Sequence, residues 1–246
     1  MAEGVETFST RMRKATRKIH NISDALVNAK FAICMYTKAL RDETVWGGGL
    51  FIFYHIFAYL EDAKERLRDA DLDKLFVHKS LHRKKAFEED LAHYLGAEWH
   101  TIPKAPALEN YLQHLQDLEQ DSPKLLMAYV YHLYLGLLSG GQILSKKRQM
   151  FGNKEIYKDK VTDFSNVDIP KLKTEFRTAM NDIADHLTPQ EKDALIEESN
   201  QVFIMNNLIV NSVGGQNQVL YNLLCKASAV VALVGAVVFA YKMHKN

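Results

Sequence analysis

From Tyr131 to Gln142 the chain reads Tyr-His-Leu-Tyr-Leu-Gly-Leu-Leu-Ser-Gly-Gly-Gln, with three glycines set in an otherwise apolar helical pattern. A glycine inside a helix costs about 1 kcal/mol relative to alanine. Gly136, Gly140 and Gly141 therefore mark either a helix end or a backbone that a flat, bulky ligand approaches closely. Far upstream, His20 follows Ala15-Thr16-Arg17-Lys18-Ile19 and falls among Ile22, Ala25, Leu26 and Ala29 of a second helical pattern. Taken alone, such a histidine suits a packed core as readily as a ligand site.

Read together, the Ala-Thr-x-x-x-His segment and the Tyr-Leu-Gly-x-Leu-Ser-Gly-Gly-Gln segment resemble the proximal and distal haem-facing helices of the haem oxygenases, in the same order and separation. The resemblance continues through Tyr54-His55-Ile56, the run from Leu81 to Leu91, Lys173 to Arg177 and Phe203 to Asn206, and it ends in a hydrophobic tail. It implies a single all-α haem oxygenase-type domain that uses haem b as both substrate and cofactor, together with O2. The expected products are biliverdin, carbon monoxide and ferrous iron.

The resemblance assigns His20 to the haem iron. Asp24, one helical turn on, is expected to hold its free ring nitrogen. Haem propionates need cations and hydroxyl donors, and the matching positions are Arg13 (a lysine in the family), Lys173, Arg177 and Tyr131. Phe203 and Gly141 complete the haem-binding set. Gly136 and Gly140 would let the distal backbone lie against the porphyrin, with Tyr111 and Asn206 as the remaining polar groups of the catalytic side. His55 and His82 read as structural.

One departure matters chemically. Most of the family places aspartate directly after the first distal glycine, where it anchors a water network that delivers protons for oxygen activation. Here Leu137 occupies that place, while Leu133 stands for an arginine and Phe57 for a tyrosine. A buried arginine or phenol without its carboxylate is costlier than an apolar residue, so the set is exchanged as a group. A drier pocket predicts ring opening at more than one meso carbon. His132, one turn before Gly136, is a candidate substitute acid.

The elements that position these residues must be helices, since apolar positions recur every three or four residues and hairpin turn signals are absent. The pattern predicts helices over residues 8–28, 50–67, 82–95, 107–119, 123–150, 170–186 and 189–213. Ser122 and a Thr188-x-x-Glu191 capping box mark two of the starts, and residues 152–167 read as a mobile polar loop. With 246 residues, 47% of them hydrophobic, the chain can bury one substantial core. A net charge of +1 argues against a nucleic-acid partner. Cys34 and Cys225 suggest no disulfide, and the N-terminus reads as no signal peptide.

The tail sets the expected domain plan: a helical domain over 1–215, a linker over 216–222 and a transmembrane anchor over 223–241. This implies a tail anchor in the endoplasmic reticulum membrane with the catalytic domain cytosolic. Ser228, Ala232, Ala236 and Ala240 could pair two such anchors into a weak homodimer. The chain carries no dinucleotide fingerprint of its own, so the resemblance implies NADPH–cytochrome P450 reductase as electron donor. Lys146, Lys147 and Arg148 would provide its docking patch. A haem-binding sensor or carrier with little turnover is the alternative; a haem-free helical membrane adaptor is a more distant one.

Overall fold

The computed structural model describes residues 6–36, 43–151 and 157–212, and among these the regular structure is entirely helical. In chain order the helices are α1 (Phe8–Tyr36), α2 (Glu43–Leu67), α3 (Ala70–Leu75), α4 (Lys84–Leu95), α5 (Pro106–Asp121), α6 (Leu126–Gly136), α7 (Gln142–Phe151), α8 (Ile169–Ala184) and α9 (Pro189–Ser212).

α6 is the axis of the core. Its residues from Leu126 to Tyr131, then Leu133 and Tyr134, are buried, and α2, α3, α5, α8 and α9 all pack on it. A helix that is apolar all round is stable only when enclosed in this way. α1 lies along α9, and α2 lies along α4. The second contact is close because Gly47 has no side chain: a Cβ there would stand 2.7 Å from Cβ of Tyr94 and 2.8 Å from Cδ2 of Leu95.

Local chemistry sets the helix ends. The capping box forms, with Thr188 N–H donating to Glu191 at 2.8 Å and Glu191 N–H to the Thr188 hydroxyl at 3.2 Å. Asp168 caps α8 by accepting from Lys171 N–H at 2.9 Å. Ser122 provides no side-chain cap; it closes α5 and opens a short 3-10 turn, Pro123–Leu125. The single helix expected over 123–150 is broken by this turn and again by a π turn at Leu137–Gly141. α3 was not expected, although Asp69 caps it through two bonds of 2.9 Å, to Asp71 N–H and Leu72 N–H.

The expected polar loop is packed where it is described. Val161 and Phe164 are buried, Asp90 accepts the N–H groups of Lys160 and Val161, and Thr162 bonds α7 through Gln142 and Ser145. Residues 152–156 lie outside the described residues.

The expectation of a membrane-anchor helix is corrected. Among the described residues no helix is long and apolar enough to cross a membrane, and the segments 216–222 and 223–241 lie outside the described residues. The fold class supported is an all-α haem oxygenase-like domain alone. The membrane partner, the endoplasmic-reticulum placement and the anchor-mediated homodimer are withdrawn with the anchor.

Candidate functional site

His20 stands on an open stretch of α1 with 52% of its side chain exposed, and its Nδ1 lies 3.2 Å from a carboxylate oxygen of Asp24. That contact occupies one ring nitrogen and leaves Nε2 for a ligand. An exposed pair of this kind contributes only about 0–1 kcal/mol. The ring also meets Phe203 of α9, with centroids 5.3 Å apart and planes at 66°.

On the other side of Phe203 lies His132 of α6, at 5.1 Å and 63°. Its Nε2 is buried and has no hydrogen-bond partner. Burial, reinforced by the nearby His20, holds His132 far below the ordinary imidazole range, at about 3. The positively charged, strongly acidic form of the ring is therefore disfavoured at neutral pH.

Gly136 and Gly140 face solvent, and a Cβ added to either would meet no atom within 4 Å. At Gly141 it would stand 3.1 Å from Cδ1 of Leu137. The π turn that carries these residues is a departure typical of functional sites. Leu137 packs against the core, and Leu133 and Phe57 are buried. Phe57 meets Phe87 and Tyr134, whose hydroxyl donates to Glu61.

On α9, one turn from Phe203, Asn206 Oδ1 accepts the hydroxyl of fully buried Tyr111 at 2.9 Å. Nearby, Glu198 accepts from Tyr129 at 2.6 Å and pairs with His114 Nε2 at 2.8 Å. Sequence reasoning missed this second group, because a carboxylate, a phenol and an imidazole at positions 198, 129 and 114 form no local motif.

Tyr131 is 4% exposed and lies parallel to Phe176, at 5.7 Å and 9°. Burial pushes its hydroxyl up, while Arg177, Ser9 and Arg13 oppose the shift. Burial and the neighbouring Arg177 push Lys173 down. Arg13, Lys173, Arg177 and Tyr131 are thus brought together. Among the described residues none of the three cations has a carboxylate within ion-pair distance.

The basic cluster on α7 is divided. Lys146 is exposed and Lys147 donates to Asn28 of α1 at 3.2 Å. Arg148 is 2% exposed, lying between the rings of Trp46 and Tyr94 and 3.6 Å from Asp159. It cannot be a docking residue. His55 and His82 have the structural surroundings expected: His55 is edge-on to Phe51 and Tyr54, and His82 stacks on Phe76.

These features define a helical protein with an exposed imidazole, a helix that carries open glycines and a group of cations without carboxylate partners. A family model described as heme oxygenase matches residues 6–212. Heme oxygenase 1 of Homo sapiens is 30% identical over 206 residues, covering 82% of this chain and 69% of its own. Heme oxygenase 1 of Rattus norvegicus is 34% identical over 206 residues with the same shares, 82% and 69%. The crystal structure of heme oxygenase 2 from Chlamydomonas reinhardtii, without heme, is similar with a TM-score of 0.75 and 30% identity, over 85% of this chain and 98% of that one. Heme oxygenase-1 from the cyanobacterium Synechocystis, solved in complex with heme, shares the fold at a TM-score of 0.76 and 23% identity, over 92% of this chain and 100% of that one.

The chain belongs to the haem oxygenase family. It is accordingly a haem-degrading enzyme, with haem b as substrate and O2 as co-substrate.

Proposed function

We propose that the chain cleaves haem to biliverdin, carbon monoxide and ferrous iron, with electrons from NADPH–cytochrome P450 reductase and with relaxed choice of the carbon attacked. Haem, when bound, supplies the iron at which O2 is reduced and the ring that is cut. His20 would hold the iron through Nε2, with Asp24 on Nδ1. Arg13, Lys173, Arg177 and Tyr131 would take the propionates.

The observation that carries the reading is the meeting of three cations that lack carboxylate partners with the hydroxyl of Tyr131, a donor set suited to a dianionic edge. The open space beside Gly136 and Gly140 supports the fit, since a Cβ there would stand where a flat ring must approach. The apolar trio Phe57, Leu133 and Leu137 supports relaxed regiochemistry, because it offers no group to hold or move a proton on its side. Tyr111 and Asn206 keep polar atoms at the α9 side. Exposed Lys146 supports docking of an acidic reductase.

A single-turnover assay tests the reading. The chain is loaded with haem and supplied with NADPH and reductase, while the Soret band and the bilin isomers are followed. Decay of the band with a mixture of bilin isomers is expected. A single isomer would overturn the relaxed regiochemistry, and a Soret band that persists would make the chain a carrier.

A further inference from the structure

The side chain that follows Tyr131 has no place in the reaction as described, yet it is one of three that carry a buried polar atom with no hydrogen-bond partner among the described residues. We propose that His132 is a positioning residue for His20, setting the plane of the His20 imidazole through Phe203. This rests on the assignment of His20 as the iron ligand.

The argument is one of relative rigidity. Asp24, the hydrogen-bond partner of His20, is 63% exposed on the same helix and is screened by water. It can fix a ring only as well as its own exposed side chain is fixed. Phe203 offers a firmer reference, because edge-to-face aromatic contacts have a preferred geometry. His20 meets it at 66° and His132 meets it at 63°, so the phenyl ring is held between imidazoles from α1 and α6. α6 is the most enclosed helix of the fold, and His132 is flanked there by Tyr131 and Leu133, both buried. His132 also stands edge-on to Tyr131, at 5.2 Å and 82°. The order His20, Phe203, His132 therefore ties an exposed imidazole to the most enclosed helix among the described residues. What this role requires of His132 is its ring; its Nε2 is buried without a hydrogen-bond partner.

The variants His132→Phe, His132→Ala and Asp24→Asn, prepared in the full chain and loaded with haem, separate ring from nitrogen. The readouts are the iron–imidazole stretching band of the ferrous protein by resonance Raman and the rate of haem transfer to apomyoglobin. His132→Ala is expected to shift and broaden the band and to speed haem loss about three- to tenfold, the loss of one aromatic contact. His132→Phe is expected to keep the parent band and rate, and to melt higher than the parent because it buries no unsatisfied nitrogen. Asp24→Asn is expected to change haem loss less than His132→Ala. A parent-like band and rate in His132→Ala would overturn the proposal, and so would His132→Phe behaving like His132→Ala. A parent chain with no iron–imidazole band at all would instead overturn the assignment of His20.

Discussion

Arg148 reaches to within 3.6 Å of Asp159, and each of these side chains is 2% exposed. Tyr94 takes part on both sides: its hydroxyl donates to Asp159 at 2.5 Å and accepts from Arg148 at 2.9 Å, and Trp46 also donates to Asp159, at 3.1 Å. The cluster joins the end of α7 to α2, α4 and the segment before α8.

Removing the cation from this group leaves a buried carboxylate that burial already pushes above its ordinary range. Arg148→Ala is expected to cost about 3–5 kcal/mol, lowering Tm by on the order of 10 °C. Lys146→Glu should leave Tm unchanged and raise the KM for the reductase. Calorimetry beside reductase titration checks both, and the converse pattern would return Arg148 to a docking role.

Gly140→Ala separates folding from ligand access. Nothing lies within 4 Å of the added Cβ, and alanine gains up to about 1 kcal/mol in a helix, so the haem-free chain should melt about 2–4 °C higher. Haem affinity should fall, because the methyl group fills the space left for the ring. A haem titration that matches the parent would show that the glycine is there only for the backbone.

Leu137→Asp alone is not expected to impose a single bilin isomer. The new carboxylate would replace a partly buried side chain packed against the core, where burial favours its neutral form. Its expected result is a less stable enzyme with a product mixture like that of the parent. Adding Leu133→Arg and Phe57→Tyr supplies partners and should narrow the mixture. Chromatography of the extracted bilins checks the series.

His55 predicts a pH dependence. Burial, with a smaller contribution from Lys104, lowers it from 6.5 to about 4. Below about pH 6.5 the unfolded chain binds the proton more readily, so this stability is complete above that pH and is lost as pH falls towards 4. The loss is on the order of 3 kcal/mol. His55→Phe keeps the ring contacts and should flatten the dependence of urea midpoints between pH 4.5 and 7; an unchanged slope would assign it to other groups.

The residues proposed for the site could be picked out in sequence where they sit in short segments. His20 with Asp24, the three distal glycines and Lys173 with Arg177 each lie within five positions of one another, and the helix periods around them are strong. The starts at Phe8 and Pro189 were readable because capping and amphipathic signals are local. The fate of Arg148 was not readable, since Trp46, Tyr94 and Asp159 meet it only after folding. In sequence it looks like the third of three basic residues at a helix end. α3 escaped notice because its six residues show too few apolar positions to establish a period. The π turn escaped because glycines weaken a helix without stating how its hydrogen bonds will shift.

That turn changes the phase of the distal helix. Each residue advances an α-helix by about 100°, and a π turn takes in one residue beyond the regular repeat. Side chains before Leu137 and after Gly141 therefore follow two different angular frames, and a helical wheel drawn through both assigns α7 to the wrong faces. Deleting one residue from Leu137–Gly141 would restore a single frame. Because the π turn fits one more residue into about the sweep of an α turn, the shortened helix would keep Arg148 between Trp46 and Tyr94 and lose only the widened glycine edge, so the extra residue serves that edge and not the buried anchor of α7.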